Sequence, residues 1–513
     1  MKTFPEIGEF SEVFDAGRAQ VVGAKLVADL ETPVSAMLKL AQDLPYSFLL
    51  ESVEGGAIRG RYSIIGLRPD VIWRGFGDRA EINRNAVTDT DAFVPCPVGA
   101  EAGTMKSLRA LIAESHIEIP DNLPPMAAGL VGYMAYDMVR LVERLPDDNP
   151  DVLGLPDSVF IRPTVMAIFD ALEDTVTVLT PVWPDGNGSG STEAAYAAAE
   201  QRVGAVIKDM EAPLSLAHGQ QSAVRISEED VTSNMSEDYF KDMVRRAKEY
   251  ILAGDAFQIV PSQRFRMPFD LAPFSFYRSL RRLNPSPFLF YLDFGGFQVV
   301  GSSPEILVRV RDGRVTLRPL AGTRRRGETP AKDAALAEEL LNDPKERAEH
   351  LMLLDLGRND VGRVAKVGSV TPTEQFSIEY YSHVMHIASN VEGDLDTNNF
   401  DEIDALMGGF PAGTVSGAPK VRAMEIIDEL EPERRGVYSG CIGYFGANGD
   451  MDTCIALRTA IIKDKAIYIQ AGAGVVADSE PNAEYVETVN KAKALVRAVE
   501  EASRFAGSND QSL

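Results

Sequence analysis

The stretch "VYSGCIGYFGANGDMDTCIALRTAIIKDKAIYIQAGAGVV" (437–476) decides the fold. Short apolar runs follow one another, separated by turn residues at Asn448-Gly449 and near Lys463-Asp464. Helical spacing is missing, so these are strands returning on strands, an antiparallel meander. A second hairpin stands upstream in "EILVRVRDGRVTLRPL" (305–320). There Ile306, Val308 and Val310 alternate up to Asp312-Gly313, and Val315 and Leu317 alternate away. Asp-Gly suits a type I′ turn, which needs positive φ at both central residues. Helical segments are interspersed irregularly, which predicts an α+β protein with large, mostly antiparallel sheets.

The chain has 513 residues, 45% hydrophobic and 25% charged, which is globular and long enough for two domains. We place a boundary near residue 230, giving an N-terminal domain of 1–230 and a C-terminal one of 231–505. "EAPLSLAHGQQSAV" (211–224) lacks a clean period there, and "SEDYFKDMVRRAKEYILAGD" (236–255) then opens a capped amphipathic helix. Ser236 is its cap, and Tyr239, Met243, Ala247 and Tyr250 mark its apolar face. "WPDGNGSGST" (183–192) reads as a long loop within the first domain, and residues 75–125 give no functional reading.

A net charge of −25 argues against nucleic acid and anionic membranes as partners, but a local basic pocket could still take an anion. No apolar run approaches a membrane span and no secretory pattern opens the chain, so a cytoplasmic location is expected. Cys96, Cys441 and Cys454 form no CxxC pair; buried reduced thiols are expected, with Cys441 and Cys454 on neighbouring strands.

Two helices carry Glu-x-x-Glu. In "DPKERAEHLMLLDLGRND" (343–360), Asp343 caps a helix that begins at Pro344, and Glu346 and Glu349 share a face with Leu353 and Leu356. In "PNAEYVETVNKAKAL" (481–495), Glu484, Glu487 and Lys491 lie beside an apolar arc that includes Val489, Ala492 and Val496. Such pairs either decorate solvated helix faces or flank a cation, for which all-oxygen ligation suits Mg²⁺. "QAGAGVV" (470–476) and "FPAGTVSGAPK" (410–420) are small-residue loops suited to anions, the second running into a helix N-terminus. Arg458 reads as a strand residue among Cys454, Ala456 and Ala460, where it could pair with a protein carboxylate or grip a ligand's.

The segments "PLAGTRRRG", "EHLMLLDLGRND", "YYSHVMHIAS", "FPAGTVSGAPKVRAME", "GCIGYFGANGDMDTCIALRTA" and "QAGAGVVADSEPNAEYVETVNKA", spread over about 235–500, resemble the chorismate-utilising enzymes, most closely their anthranilate-forming large subunits. The resemblance implies a two-domain fold of antiparallel sheets packed as a sandwich with flanking helices. It implies Mg²⁺ held by Glu349 and Glu487, with Glu346 and Glu484 supporting or binding through water. Gly322 and Thr323 would line the substrate site. Tyr438 and Arg458 would take the enolpyruvyl side, with backbone donors from Gly472, Ala473 and Gly474, and Lys491 would neutralise the ring carboxylate. Glu305 would protonate the departing C4 hydroxyl, His386 would assist the later elimination and Thr414 would orient the substrate.

Two positions discriminate within the resemblance. Ala321 stands where aminodeoxychorismate synthases carry an attacking lysine, and Gln258, in "DAFQIVPSQRF" (255–265), stands where isochorismate synthases carry the lysine that activates water. Ammonia is then the expected nucleophile, adding at C2 of chorismate before pyruvate leaves to give anthranilate. Ser52 in "SFLLESVEGG" (47–56), with Pro287, Phe288 and Leu289 in "NPSPFLFYL" (284–292), resembles a regulatory tryptophan element of the N-terminal domain. No glutaminase segment follows residue 500, so a separate glutamine amidotransferase subunit, or ammonia from solution, is the expected source. The alternatives are a synthase that stops at an aminodeoxy intermediate and a non-catalytic amino-acid-sensing subunit.

Overall fold

The computed structural model describes residues 2–41, 44–54, 58–120, 122–123, 126–184, 191–214, 230–381 and 384–506. The expected boundary stretch before residue 230 and the centre of the 183–192 loop lie outside the described residues. Antiparallel strands join one to the next into a network of 21, with a separate pair formed by Gln258–Ile259 and Gly417–Ala418.

Both expected hairpins are present. Strands Ile306–Arg311 and Arg314–Leu317 pair about Asp312 (φ +49°) and Gly313 (φ +71°), both left-handed as a type I′ turn requires. The 437–476 meander runs as Cys441–Gly446, Met451–Ile455, Thr459–Lys463 and Ala466–Gly472. One detail differs. Arg458 is not in a strand: the chain bends between Ile455 and Thr459, and Arg458 takes φ +48°. Met451–Ile455 pairs with Cys441–Gly446 while Thr459–Lys463 pairs with Gln298–Gly301, so the backbone turns to change partners.

Segments distant in sequence share sheets and cores. Ser47–Glu54 pairs with Phe288–Asp293, and Gly129–Met134 with Cys441–Gly446. One core cluster joins Leu49, Ile65 and Val178 to Phe276, Ile467 and Leu495. Cys441 and Cys454 are buried, free and on adjacent strands. Among the described residues no helix is long and apolar enough to cross a membrane.

The helix Glu237–Ala253 begins as expected, with Ser236 Oγ accepting from Tyr239 N at 3.2 Å. Its buried face is Phe240, Met243, Val244 and Ala247, rotated from the expected one, and Tyr239 is exposed. Ile426, Ile427 and Leu430 of the neighbouring helix set that choice. The helix Pro481–Ala502 buries Thr488, Ala492, Leu495 and Val499, again shifted, with Val489 and Val496 only partly covered.

Candidate active site

The helix Pro344–Gly362 begins where Asp343 Oδ1 accepts from the amides of Lys345 (3.0 Å) and Glu346 (3.3 Å). That cap fixes its first turns, and Glu346, Glu349 and Leu353 face a cleft of about 610 Å³. Glu484, Glu487 and Lys491 reach the same cleft from the helix Pro481–Ala502. The remaining walls bring in Gln258, Glu305, Ala321, Gly322, Thr323, His386, Thr414, Tyr438, Arg458, Gly472 and Gly474. Ala473 does not line it: its methyl is buried and its N–H donates to Pro261 O at 3.1 Å. Gly474 is the amide of this loop with no bond among the described residues, since Val475 donates to Ile259 O.

Glu305 stands at the kink between strands Gln298–Ser303 and Ile306–Arg311. Its carboxyl is buried, and among the described residues no cation pairs with it. Burial pushes its pKa up to about 8, against weak relief from the Leu320 amide at 3.4 Å. Thr414 lies near enough to favour the carboxylate slightly, although its Oγ1 makes no well-formed hydrogen bond. At neutral pH Glu305 is therefore a neutral acid, able to donate a proton.

Arg458 is the opposite case. Its side chain is half-buried and forms no ion pair among the described residues; a 3.5 Å contact of Nη1 with Ser286 Oγ is its hydrogen bond. Burial pulls its pKa down, yet an arginine stays charged in a protein. A desolvated, uncompensated guanidinium at a cleft calls for an anion, and its fork suits a carboxylate.

His386 Nδ1 lies 2.8 Å from Gly322 O and 3.2 Å from Thr323 Oγ1. A carbonyl only accepts, so Nδ1 carries the hydrogen and Nε2 is left with its lone pair. Burial, opposed by the bond to Gly322, lowers the ring's pKa to about 4, so it is neutral at physiological pH. Gly322 (φ +66°) allows this turn of chain. Burial also pushes the Tyr438 phenol up to about 12, and a Cβ at Gly472 would lie 2.8 Å from both its oxygen and Pro261 O.

Gln258 Nε2 donates to Glu349 Oε1 at 3.0 Å, which leaves its buried Oε1 without a partner. Lys491 Nζ binds Glu487 Oε1 (2.8 Å) and Gly472 O (2.9 Å). Glu346 pairs with Arg324 at 3.0 Å. Among the described residues no three His, Cys, Asp or Glu side chains cluster closely enough to hold a metal unaided. Still, Glu349 is pushed up by burial and by the charges of Glu346 and Glu487, and Glu484 by burial and Glu487. A set of mutually repelling oxygen donors fits Mg²⁺, which takes one or two carboxylates and completes its sphere with water and substrate.

The sequence reading passed over Lys345, which lines the cleft and eases the charge on Glu349 and Glu484. Its place beside the capping Asp343 and first-turn Pro344 was the available signal. The second small-residue loop contributes Thr414 and Val415, but the helix it enters does not offer its N-terminus here. Lys420, at its first turn, is held by Asp360 at 2.9 Å.

A buried carboxylic acid, an arginine with no ion pair among the described residues and two glutamate-bearing helices thus line one cleft, an arrangement suited to an anion. The family described as chorismate binding enzyme matches residues 69–497. Anthranilate synthase component 1 of Cereibacter sphaeroides is 59% identical over 500 residues, 97% of this chain and 98% of that one. The Pseudomonas putida protein of the same name is 47% identical over 488 residues, 93% and 94% of the two chains. The crystal structure of anthranilate synthase component I from Streptococcus pneumoniae matches with a TM-score of 0.73 at 37% identity, covering 85% of this chain and 92% of that one. The menaquinone-specific isochorismate synthase from Escherichia coli shares the fold, with a TM-score of 0.69 at 18% identity over 94% of each chain. The chain belongs to the chorismate-binding enzymes and, within them, to the anthranilate synthase component 1 proteins.

Proposed function

We propose that this chain converts chorismate and ammonia into anthranilate, pyruvate and water. The observation that carries the reading is the pairing, in one cleft, of a neutral buried Glu305 with a half-buried Arg458 that has no ion pair among the described residues. Arg458 takes the carboxylate of the enolpyruvyl group, and Tyr438 and Gly472 shape that end. Glu305 gives its proton to the C4 hydroxyl as it leaves, while ammonia adds at C2 and the ring double bonds shift. The unpartnered Gln258 Oε1 offers an acceptor to ammonia but no base for water, and Ala321 offers no amine. The intermediate is an aminodeoxyisochorismate. His386, neutral with its Nε2 lone pair available, takes the C2 proton as the enolpyruvyl group departs and becomes pyruvate. Thr414 and Thr323 orient the ring. Glu349 and Glu487 would hold Mg²⁺, whose positive charge would bind the ring carboxylate.

Ammonia is supplied by a separate glutamine amidotransferase subunit. Tryptophan inhibits at the paired strands Ser47–Glu54 and Phe288–Asp293, where Ser52 lies opposite Phe288, beside Pro287 and Leu289. The test is to incubate the isolated chain with chorismate, ammonium and Mg²⁺ and separate the products by chromatography. Anthranilate and pyruvate are expected. Accumulation of an aminodeoxy intermediate alone would make it a synthase that stops before elimination, and isochorismate alone would contradict the choice of nucleophile.

A further inference from the structure

A second cleft, of about 1120 Å³, shares no lining residue with the first and lies among the helix Thr192–Glu211, the end of strand Thr175–Val182 and the Asp70-Val71 stretch of strand Ile58–Phe76. Four arginines line it, against three carboxylates. Three of the arginines use those carboxylates up: Arg18 pairs with Glu118 (2.9 Å), Arg84 with Glu114 (2.6 Å) and Arg162 with Asp70 (2.8 Å). Arg202 is left over. Its Nε donates to Thr180 Oγ1 at 2.9 Å, and among the described residues it has no ion pair and no bond at either Nη. The side chain is half-buried, and loss of water outweighs the distant attraction of Asp70.

An arginine held at Nε keeps its end-on fork, Nη1 and Nη2, free for two parallel hydrogen bonds. A half-buried charge without a partner is unfavourable in the free protein, and an oxyanion relieves it. The chain carries −25 overall, so this excess of one cation is a local feature set against the general field. Trp183 forms an adjoining wall, with the Arg162 guanidinium 4.3 Å from its ring centre and an indole nitrogen that has no partner among the described residues.

We propose that this cleft is a second ligand site, which takes a small oxyanion end-on at Arg202. Carboxylates and phosphates share the required chemistry. Intrinsic fluorescence reports on the site, because the chain has two tryptophans and Trp73 is wholly buried, with its Nε1 bonded to Ser107 Oγ at 2.7 Å. The full chain is titrated with inorganic phosphate and, separately, with succinate, against sodium chloride at matched ionic strength. A saturable change in Trp183 emission and a rise in melting temperature are expected with at least one oxyanion, and which one responds identifies the source. Arg202→Gln should weaken binding at least about tenfold, the loss of a charge-assisted pair, and Arg202→Lys should fall between. Both variants should keep wild-type turnover of chorismate, which shows that they fold. A response no greater than that to chloride, or equal responses in wild type and Arg202→Gln, would overturn the proposal.

Discussion

At Glu305, burial and the want of a cation act together: the carboxyl takes its proton near pH 8 rather than near 4.5. Because the folded pKa is raised, the stability this group contributes is complete below about pH 4.5 and is lost as pH rises through 8. Glu305→Gln removes that dependence. At pH 7 the variant should be more stable than wild type by up to roughly 3 kcal/mol, the cost of about two and a half pKa units. Denaturant melts of both proteins at pH 5 and pH 8 check this, and the gain should grow with pH. His386 has the opposite sign. Its pKa is lowered from 6.5 to about 4, so stability is present above 6.5 and is lost as pH falls through 4. Melts of His386→Gln should lose that acid-side decline. Arg458→Lys keeps the charge and loses the fork, so the KM for chorismate should rise by about tenfold or more. An unchanged KM would mean that the substrate carboxylate lies elsewhere.

Among the elements, what could be read from the sequence was what is settled locally. The Asp343–Pro344 start, the Ser236 cap and the Asp312-Gly313 turn follow from neighbouring residues alone, and each stands where its residues put it. The buried face of the helix Glu237–Ala253 does not, because Tyr239 and Phe240 each begin an aromatic and aliphatic arc at helical spacing and the partners Ile426, Ile427 and Leu430 choose between them. The bend at Arg458 was hidden for the same reason: it comes from a change of strand partner, which leaves no mark on local spacing. The two glutamate helices act as a pair. Glu349→Gln or Glu487→Gln should abolish Mg²⁺-supported turnover while leaving circular dichroism unchanged, and near-normal activity at saturating chorismate would exclude them as ligands. On the paired strands proposed to take tryptophan, Ser52 lies against Gly60, where even an added Cβ on the glycine would come within 2.0 Å of Ser52 Oγ. A larger side chain has little room on that side. Ser52→Phe should keep basal activity and lose tryptophan sensitivity, a coupling of about 1–3 kcal/mol. Superimposable tryptophan inhibition curves for the two proteins would place the inhibitor elsewhere.

Across the whole molecule, the cleft is gathered from short segments between Gln258 and Leu495, more than two hundred residues apart, on a sheet that also takes in strands from the first 200 residues. Its members could be named from the sequence because they sit in long ordered motifs. Which charges are already satisfied could not be, since the lack of an ion pair at Arg458 and Arg202 among the described residues, and the engagement of Lys491 by Glu487, depend on three-dimensional neighbours. Formation of anthranilate from chorismate and ammonia, with proton donation by Glu305, underlies every role proposed for the cleft. It is tested most directly by following anthranilate fluorescence from the isolated chain with chorismate, ammonium chloride and Mg²⁺ at pH 7, beside Glu305→Gln. The wild type should turn over without any other subunit, and the variant should be slower by about 10²- to 10⁴-fold with chorismate binding retained. No anthranilate from the wild type, or a variant within a few-fold of it, would contradict the account.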